Sequence, residues 1–144
     1  MAVTLKVSRS LFWEDLERKL ENPEFLRAYV IESIRISTVD AILGQLDEVR
    51  EEIGATKAEL ARAIGAEPAS LRRLFASNAV NPTLGTLADM AAALGLRVSL
   101  EPMPVGERKQ ISETLLEGHT SDAKKLVKNL ERVKARAPRT LAVA

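Results

Sequence analysis

The residues from Thr56 to Gly95 constrain the fold more tightly than any other stretch of the chain. Thr56-Lys-Ala-Glu59 is a capping box, in which the threonine hydroxyl and the glutamate carboxylate each take an amide of a helix's first turn. Gly65 suits the left-handed residue that follows a helix end. Pro68 fits the first position of a new helix, where a missing N–H costs nothing. Asn81-Pro82-Thr83 interrupts again, Thr83 or Thr86 caps another helix, and Gly95 closes it. The spacing allows only short helices: Thr56–Ile64, Pro68–Ala76, and one carrying Leu84, Leu87, Met90, Ala91 and Leu94. Leu71 and Leu74 mark the inward side of the middle one.

Composition narrows what can surround this stretch. Hydrophobic residues make up 46% of the 144 residues and aromatic residues only 3%, so the core is expected to be leucine, isoleucine, valine and alanine in helices. The absence of cysteine excludes disulfides and thiolate metal sites, and a single histidine, His119, leaves little for histidine chemistry. No run reaches the length of a membrane span, and the N-terminus becomes charged too soon for a signal peptide. The chain is therefore expected to be cytoplasmic, without membrane, cofactor or metal, and not an enzyme. The acidic groups Glu14, Asp15 and Glu17, and Glu48, Glu51 and Glu52, read as solvated helix faces.

The flanks read as further helices. Ser10 caps a helix through Leu20. Asn22-Pro23 opens a second to about Ile36, and Thr38 caps a third, which Gly54 ends. After Gly95 the period changes. Leu96, Val98 and Leu100 alternate with Arg97, Ser99 and Glu101, which predicts one half-buried strand stopped by Pro102 and Pro104. A lone strand needs another chain, a copy of itself, or the N-terminal VTLKV as partner. Residues 104–110 read as a linker, Gln110–Glu117 as one or two helical turns, and Ser121–Ala135 as a helix ended by Pro138. That last helix has Ala123, Leu126, Val127, Leu130 and Val133 on one side and Lys124, Lys125, Lys128, Arg132 and Lys134 on the other. It fits a solvated amphipathic helix, an arm along a DNA backbone, or a segment that folds on an acidic partner. Phe12 and Trp13 fit either a core or the anchor of a partner.

Charge is unevenly spread. Residues 1–119 carry 14 basic and 18 acidic residues, and residues 120–144 carry 7 and 2. Residues 54–82 hold Lys57, Arg62, Arg72 and Arg73 against Glu59 and Glu67. Two short helices joined by a glycine turn are a helix-turn-helix, in which the first helix crosses a DNA backbone and the second enters the major groove. Thr56 and Lys57 then meet phosphates at the start of the first helix. If Leu71 and Leu74 face inward, Pro68, Ala69, Arg72 and Arg73 lie on or near the outer face, where arginine bonds guanine and alanine or proline meets a thymine methyl. Ser77, Asn78 and Asn81 follow as phosphate contacts. With Ser70, these residues form the candidate DNA-binding set. The same helices and breaks also occur in proteins that never touch DNA.

The stretch TKAELARAIGAEPASLRRLFASNAVNPTLGTLADMAAALGLRVSLEP resembles the Cro/C1-type (Xre) helix-turn-helix family. The likeness lies in the cap with ELA, Gly65, the Leu71/Leu74 pair, the Asn81-Pro82-Thr83-Leu84 run and the Ala93-Leu94-Gly95-Leu96 close. Together with the lead-in Leu20-Glu-Asn-Pro-Glu-Phe-Leu-Arg-Ala-Tyr29, it resembles HigA-like antitoxins of toxin–antitoxin systems over residues 20–103. That resemblance implies an all-α, lambda-repressor-like domain of five helices. Extra helices precede it, one short strand follows its last core helix, and a basic C-terminal helix ends the chain. The implied segments are a helical extension (1–37), the helix-turn-helix domain with its strand (38–103) and a C-terminal arm (104–144). The implied function is an operator-binding antitoxin that neutralises a toxin protein and represses its own operon as a homodimer. The alternatives are a stand-alone transcriptional regulator and an interaction module on the same fold. By the resemblance, Arg73 reads bases first and Arg72 second. Pro68 and Ala69 depart from the polar readers usual there, and Lys57 replaces a frequent glutamine. In related antitoxins such a strand pairs across the dimer, which makes Arg97, Val98, Ser99 and Leu100 candidates for dimerisation. Pairing within one chain is the other reading.

Overall fold

The structure, a computed structural model, describes residues 2–76 and 81–136, with side chains from residue 10 onward. Seven helices follow one another: α1 (Ala2–Lys19), α2 (Pro23–Glu52), α3 (Lys57–Ala63), α4 (Pro68–Ala76), α5 (Leu84–Ala93), α6 (Val105–Glu117) and α7 (Ala123–Ala135). The described residues form two compact units, one from residues 2–35 and 102–136, the other from 36–101. The continuous helix α2 contributes to both. No described helix is long and apolar enough to cross a membrane.

The helix ends follow the sequence chemistry. Asn22 caps α2, its Oδ1 accepting from the amides of Glu24 at 2.9 Å and Phe25 at 3.1 Å, with Pro23 in the first helical position. Gly54, Gly65 and Gly95 all have φ between 68° and 75°. Each follows a helix and is flanked by the paired bonds of a Schellman turn, such as Ala66 N–H to the Ala61 carbonyl at 2.8 Å and Gly65 N–H to that of Arg62 at 3.2 Å.

The unit of residues 36–101 is built on Leu43, Leu46, Val49, Leu60, Ala61, Leu71, Leu87, Met90, Ala91 and Leu94, with Leu74, Phe75 and Leu96 packed around them. It holds the second half of α2 with α3, α4 and α5, four helical segments among the described residues where five were expected. The other unit packs α1, the first half of α2, α6 and α7 around Leu20, Leu26, Val30, Ile111, Leu126 and Leu130. Arg27 of α2 caps the end of α6. Its Nε donates to the Leu115 carbonyl at 3.0 Å and its Nη2 to that of Leu116 at 3.3 Å, a cation at the negative end of a helix. Gly118 ends α6 at φ 72°, and a Cβ there would stand 2.9 Å from the Arg27 guanidinium. Buried Glu107 in the first turn of α6 accepts from Arg136 Nη2 through both oxygens, at 2.8 and 2.9 Å. Asn129, buried on α7, donates to Gln110 of α6.

Several expectations need correction. The strand over residues 96–101 does not form, and residues 96–104 carry no regular structure. Alternation alone cannot hold a strand without a ladder partner. The one intrachain candidate, VTLKV, lies inside α1, which begins at Ala2 rather than Ser10. Arg97, Val98, Ser99 and Leu100 are therefore exposed in an irregular segment, Leu100 at 98%. Thr38 caps nothing: α2 runs through it unbroken, because neither glycine nor proline stands near residue 37 to stop the backbone ladder. α6 starts at Val105 directly after Pro104, so residues 105–110 are helix, not linker. Pro138 lies outside the described residues.

Two measurements check the packing of the unit formed by residues 2–35 and 102–136. Leu126 is fully buried, so Leu126→Ala should lower stability by about 2–5 kcal/mol. Urea unfolding followed by the fluorescence of Trp13, the sole tryptophan, reports this directly. Tyr29 is the sole tyrosine. Burial, and after it the negative charge of Glu131, pushes its phenol above the ordinary 10.0. A raised value means the contribution to stability is whole below pH 10 and is lost as pH rises through the folded value. Phenolate absorbance should titrate at higher pH in the folded chain than in denaturant, and coincident curves would refute the burial.

Candidate nucleic-acid interface

The candidate interface is α3, the turn after it, and α4. The capping box forms as its sequence dictates: the Glu59 amide donates to Thr56 Oγ1 at 3.0 Å, and the Thr56 amide donates to Glu59 Oε1 at 3.1 Å. Bonds from the Thr56 backbone and then its hydroxyl hold the Glu59 carboxyl below its ordinary value. Its contribution to stability is thus present above pH 4.5 and is lost on acidification through the lowered value. The loop into Thr56 is tied back to α2 by Arg50, whose Nη1 donates to the Ala55 carbonyl at 2.8 Å and whose Nε donates to Asp47 at 2.9 Å.

Leu60 and Ala61 of α3 and Leu71 of α4 are buried together, which sets the rotation of α4. Leu74 and Phe75 are half-buried on the same side, and Pro68 is half-buried at the start. The outer stripe is Ala69, Arg72, Arg73 and Ala76, at the three- and four-residue steps of one helix face, and all four are exposed. Exposed Ser70 accepts from Arg73 Nη2 at 3.3 Å and leans that guanidinium along the helix. Both arginines are flanked by methyl groups rather than bulky side chains, so a planar guanidinium can approach a base edge.

The start of α3 differs from a free phosphate site. The capping box occupies the amides of Thr56 and Glu59 and brings a carboxylate to the helix N-terminus. Lys57 is half-buried, with its Nζ 5.7 Å from the centroid of the Phe75 ring, a cation–π contact that joins α3 to α4. Phe75 thus orients the lysine in the first turn of α3, a role the sequence did not suggest, because the pairing depends on how two helices pack. Ser77 and Asn78 lie outside the described residues. Asn81 is exposed just before Thr83, which caps α5 by accepting from the Thr86 amide at 3.1 Å.

Charge in this unit is polarised. Residues 36–101 hold six basic and nine acidic residues, a net −3. Five of the acidic ones, Asp40, Asp47, Glu48, Glu51 and Glu52, belong to α2, whereas Arg62, Arg72, Arg73 and Lys57 belong to α3 and α4.

A family model described as the Cro/C1-type HTH DNA-binding domain matches residues 45–99. The matched span holds the last turns of α2 and all of α3, α4 and α5. No curated protein and no solved structure matches the chain. Helix order and buried leucines in residues 45–99 agree with that match: two short helices joined by a glycine turn, with α5 packed beside them, are a helix-turn-helix.

The cap is the cheapest test of this local geometry. Thr56→Ala removes the hydroxyl that holds the Glu59 amide and should cost about 1 kcal/mol in urea unfolding. An unchanged midpoint would mean that the box does not hold α3 in place.

Proposed function

We propose that the chain is a cytoplasmic, dimeric, operator-binding antitoxin that represses its own operon and neutralises a toxin protein. The observation that carries the DNA part is the exposed Arg72–Arg73 pair on the outer stripe of α4, with Ala69 and Ala76 beside it. In this reading Arg73 and Arg72 bond base edges, Ala69 meets a thymine methyl, and Lys57 and Asn81 take phosphates. Two such helices on half-sites about 34 Å apart read a palindrome and add their binding energies.

The antitoxin part rests on the Asn22-Pro23-Glu24-Phe25 lead-in and on the presence of a second compact unit apart from the DNA-facing helices. That unit leaves Leu11 and Phe12 of α1 exposed, the latter at 69%. Large apolar side chains in water favour a protein partner.

Binding to the DNA upstream of the protein's own gene tests the first part. Arg73→Ala should weaken it by about 1–3 kcal/mol and relax one position of the site. Unchanged affinity would remove Arg73 from the interface. Growth arrest by the product of the neighbouring gene, relieved when this chain is co-expressed, tests the second. Intact operator binding without such rescue would leave a regulator that has no toxin.

A further inference from the structure

The outer face of α7 carries Lys124, Lys125, Lys128 and Arg132 along about 12 Å of helix, all exposed. Its inner face, Leu126 and Leu130, is buried in the core of its unit. The helix therefore has no free apolar side with which to enter a membrane or an apolar groove, and what it offers to solvent is mostly positive charge, with Glu131 exposed beside Lys124, Lys125, Lys128, Arg132 and Lys134. Lys124 is already engaged, its Nζ 5.9 Å from the centroid of the Trp13 ring. Among the described residues, no acidic side chain forms an ion pair with Lys125, Lys128 or Arg132.

Local helix stability does not account for this pattern. Arg132 and Lys134 in the last turn suit the helix dipole, but Lys124 and Lys125 sit in the first turn, where positive charge is unfavourable and where a single carboxylate, the Asp122 cap that accepts from the Lys125 amide at 3.0 Å, stands against two cations. The electrostatics of the whole chain point the same way. Phosphate neutralisation supplies most of the non-specific affinity for DNA. Yet residues 36–101 are net negative, while residues 102–136 hold eight basic and five acidic residues.

From these observations we infer that Lys125, Lys128 and Arg132 form a second DNA contact, a sequence-blind one to backbone phosphates. It adds to the helix-turn-helix the positive charge that its own unit lacks. The inference rests on the DNA-binding reading of α4.

The test is fluorescence anisotropy of the full chain on the DNA upstream of its gene and on a scrambled duplex of equal length, from about 50 to 200 mM salt. Lys125→Gln, Lys128→Gln and Arg132→Gln are combined in one variant, and Lys125→Arg, Lys128→Arg and Arg132→Lys in a charge-preserving second. The neutral variant should have a salt slope shallower by about 3, so a fourfold rise in salt weakens the wild type about 40-fold more than the variant. Its ratio of operator to scrambled affinity should stay at the wild-type value, and the charge-preserving variant should keep the wild-type slope. Arg72→Ala with Arg73→Ala should lower the ratio instead. A neutral variant with the wild-type slope overturns the second contact while leaving the α4 reading intact, and loss of polyglutamate binding in that variant would assign the stripe to an acidic polypeptide. A slope that falls equally in the charge-preserving variant also overturns it, since charge is then not the cause. A wild type that binds neither duplex overturns both readings.

Discussion

The burial of Leu71 decides where Arg72 and Arg73 point. A helix turns 100° per residue, so once Leu71 is fixed in the core that α4 shares with α3, the next two side chains must leave the core and Leu74 and Phe75 must return to it. The start of α4 is fixed in turn by Gly65, whose positive φ closes α3, and by Pro68, whose ring sets the first helical φ. A different turn length would rotate α4 and bury an arginine. The chemistry proposed for this face thus depends on apolar packing and on one left-handed glycine more than on the arginines themselves.

Electrostatics act on this face from two directions. The capping box that holds α3 in place also sets the Glu59 carboxylate at its N-terminus, where an incoming phosphate would otherwise find free amides. Stability of α3 and phosphate binding at its start therefore compete for the same groups; Arg62, one turn on, acts on the carboxylate, and Lys57 adds a second positive charge to the first turn. Its contact with Phe75 keeps the ammonium beside α4 rather than dispersed in solvent. The acidic α2 adds a long-range repulsion from DNA that salt would screen within about 10 Å at 0.1 M. In the proposed reading, short-range contacts by the arginines would work against that field.

What the sequence could disclose was the local chemistry of helix ends. Asn22, Thr56, Thr83 and the glycines at 54, 65 and 95 behave as their residue types require, because caps depend on a few neighbouring residues only. The outward stripe of α4 was legible for the same reason, since it follows from the spacing of Leu71 and Leu74. The alternation of residues 96–101 misled, because a strand is a property of two segments and its candidate partner is helical. Thr38 offered a cap, but a cap residue permits a helix start without enforcing one. Arg27 at the end of α6, and Lys57 over Phe75, depend on residues brought together by the tertiary fold, which no single stretch encodes.

The joining of residues 2–35 and 102–136 in one unit changes how the segment after Pro104 has to be understood. An arm that folds on its partner keeps its apolar side free until binding. Here Leu126 and Leu130 complete a core with Leu20, Leu26 and Val30, the Glu107–Arg136 pair ties the end of α7 to the start of α6, and Arg27 ties α6 to α2. Removing residues 104–144 would therefore uncover the apolar faces of α1 and α2, and any loss of partner binding in such a truncation would report unfolding as readily as a lost contact. α7 can serve recognition only through the face it already shows to water. On that face lysine and arginine outnumber the one exposed carboxylate, Glu131, and the natural complement of such an excess is an array of negative charge.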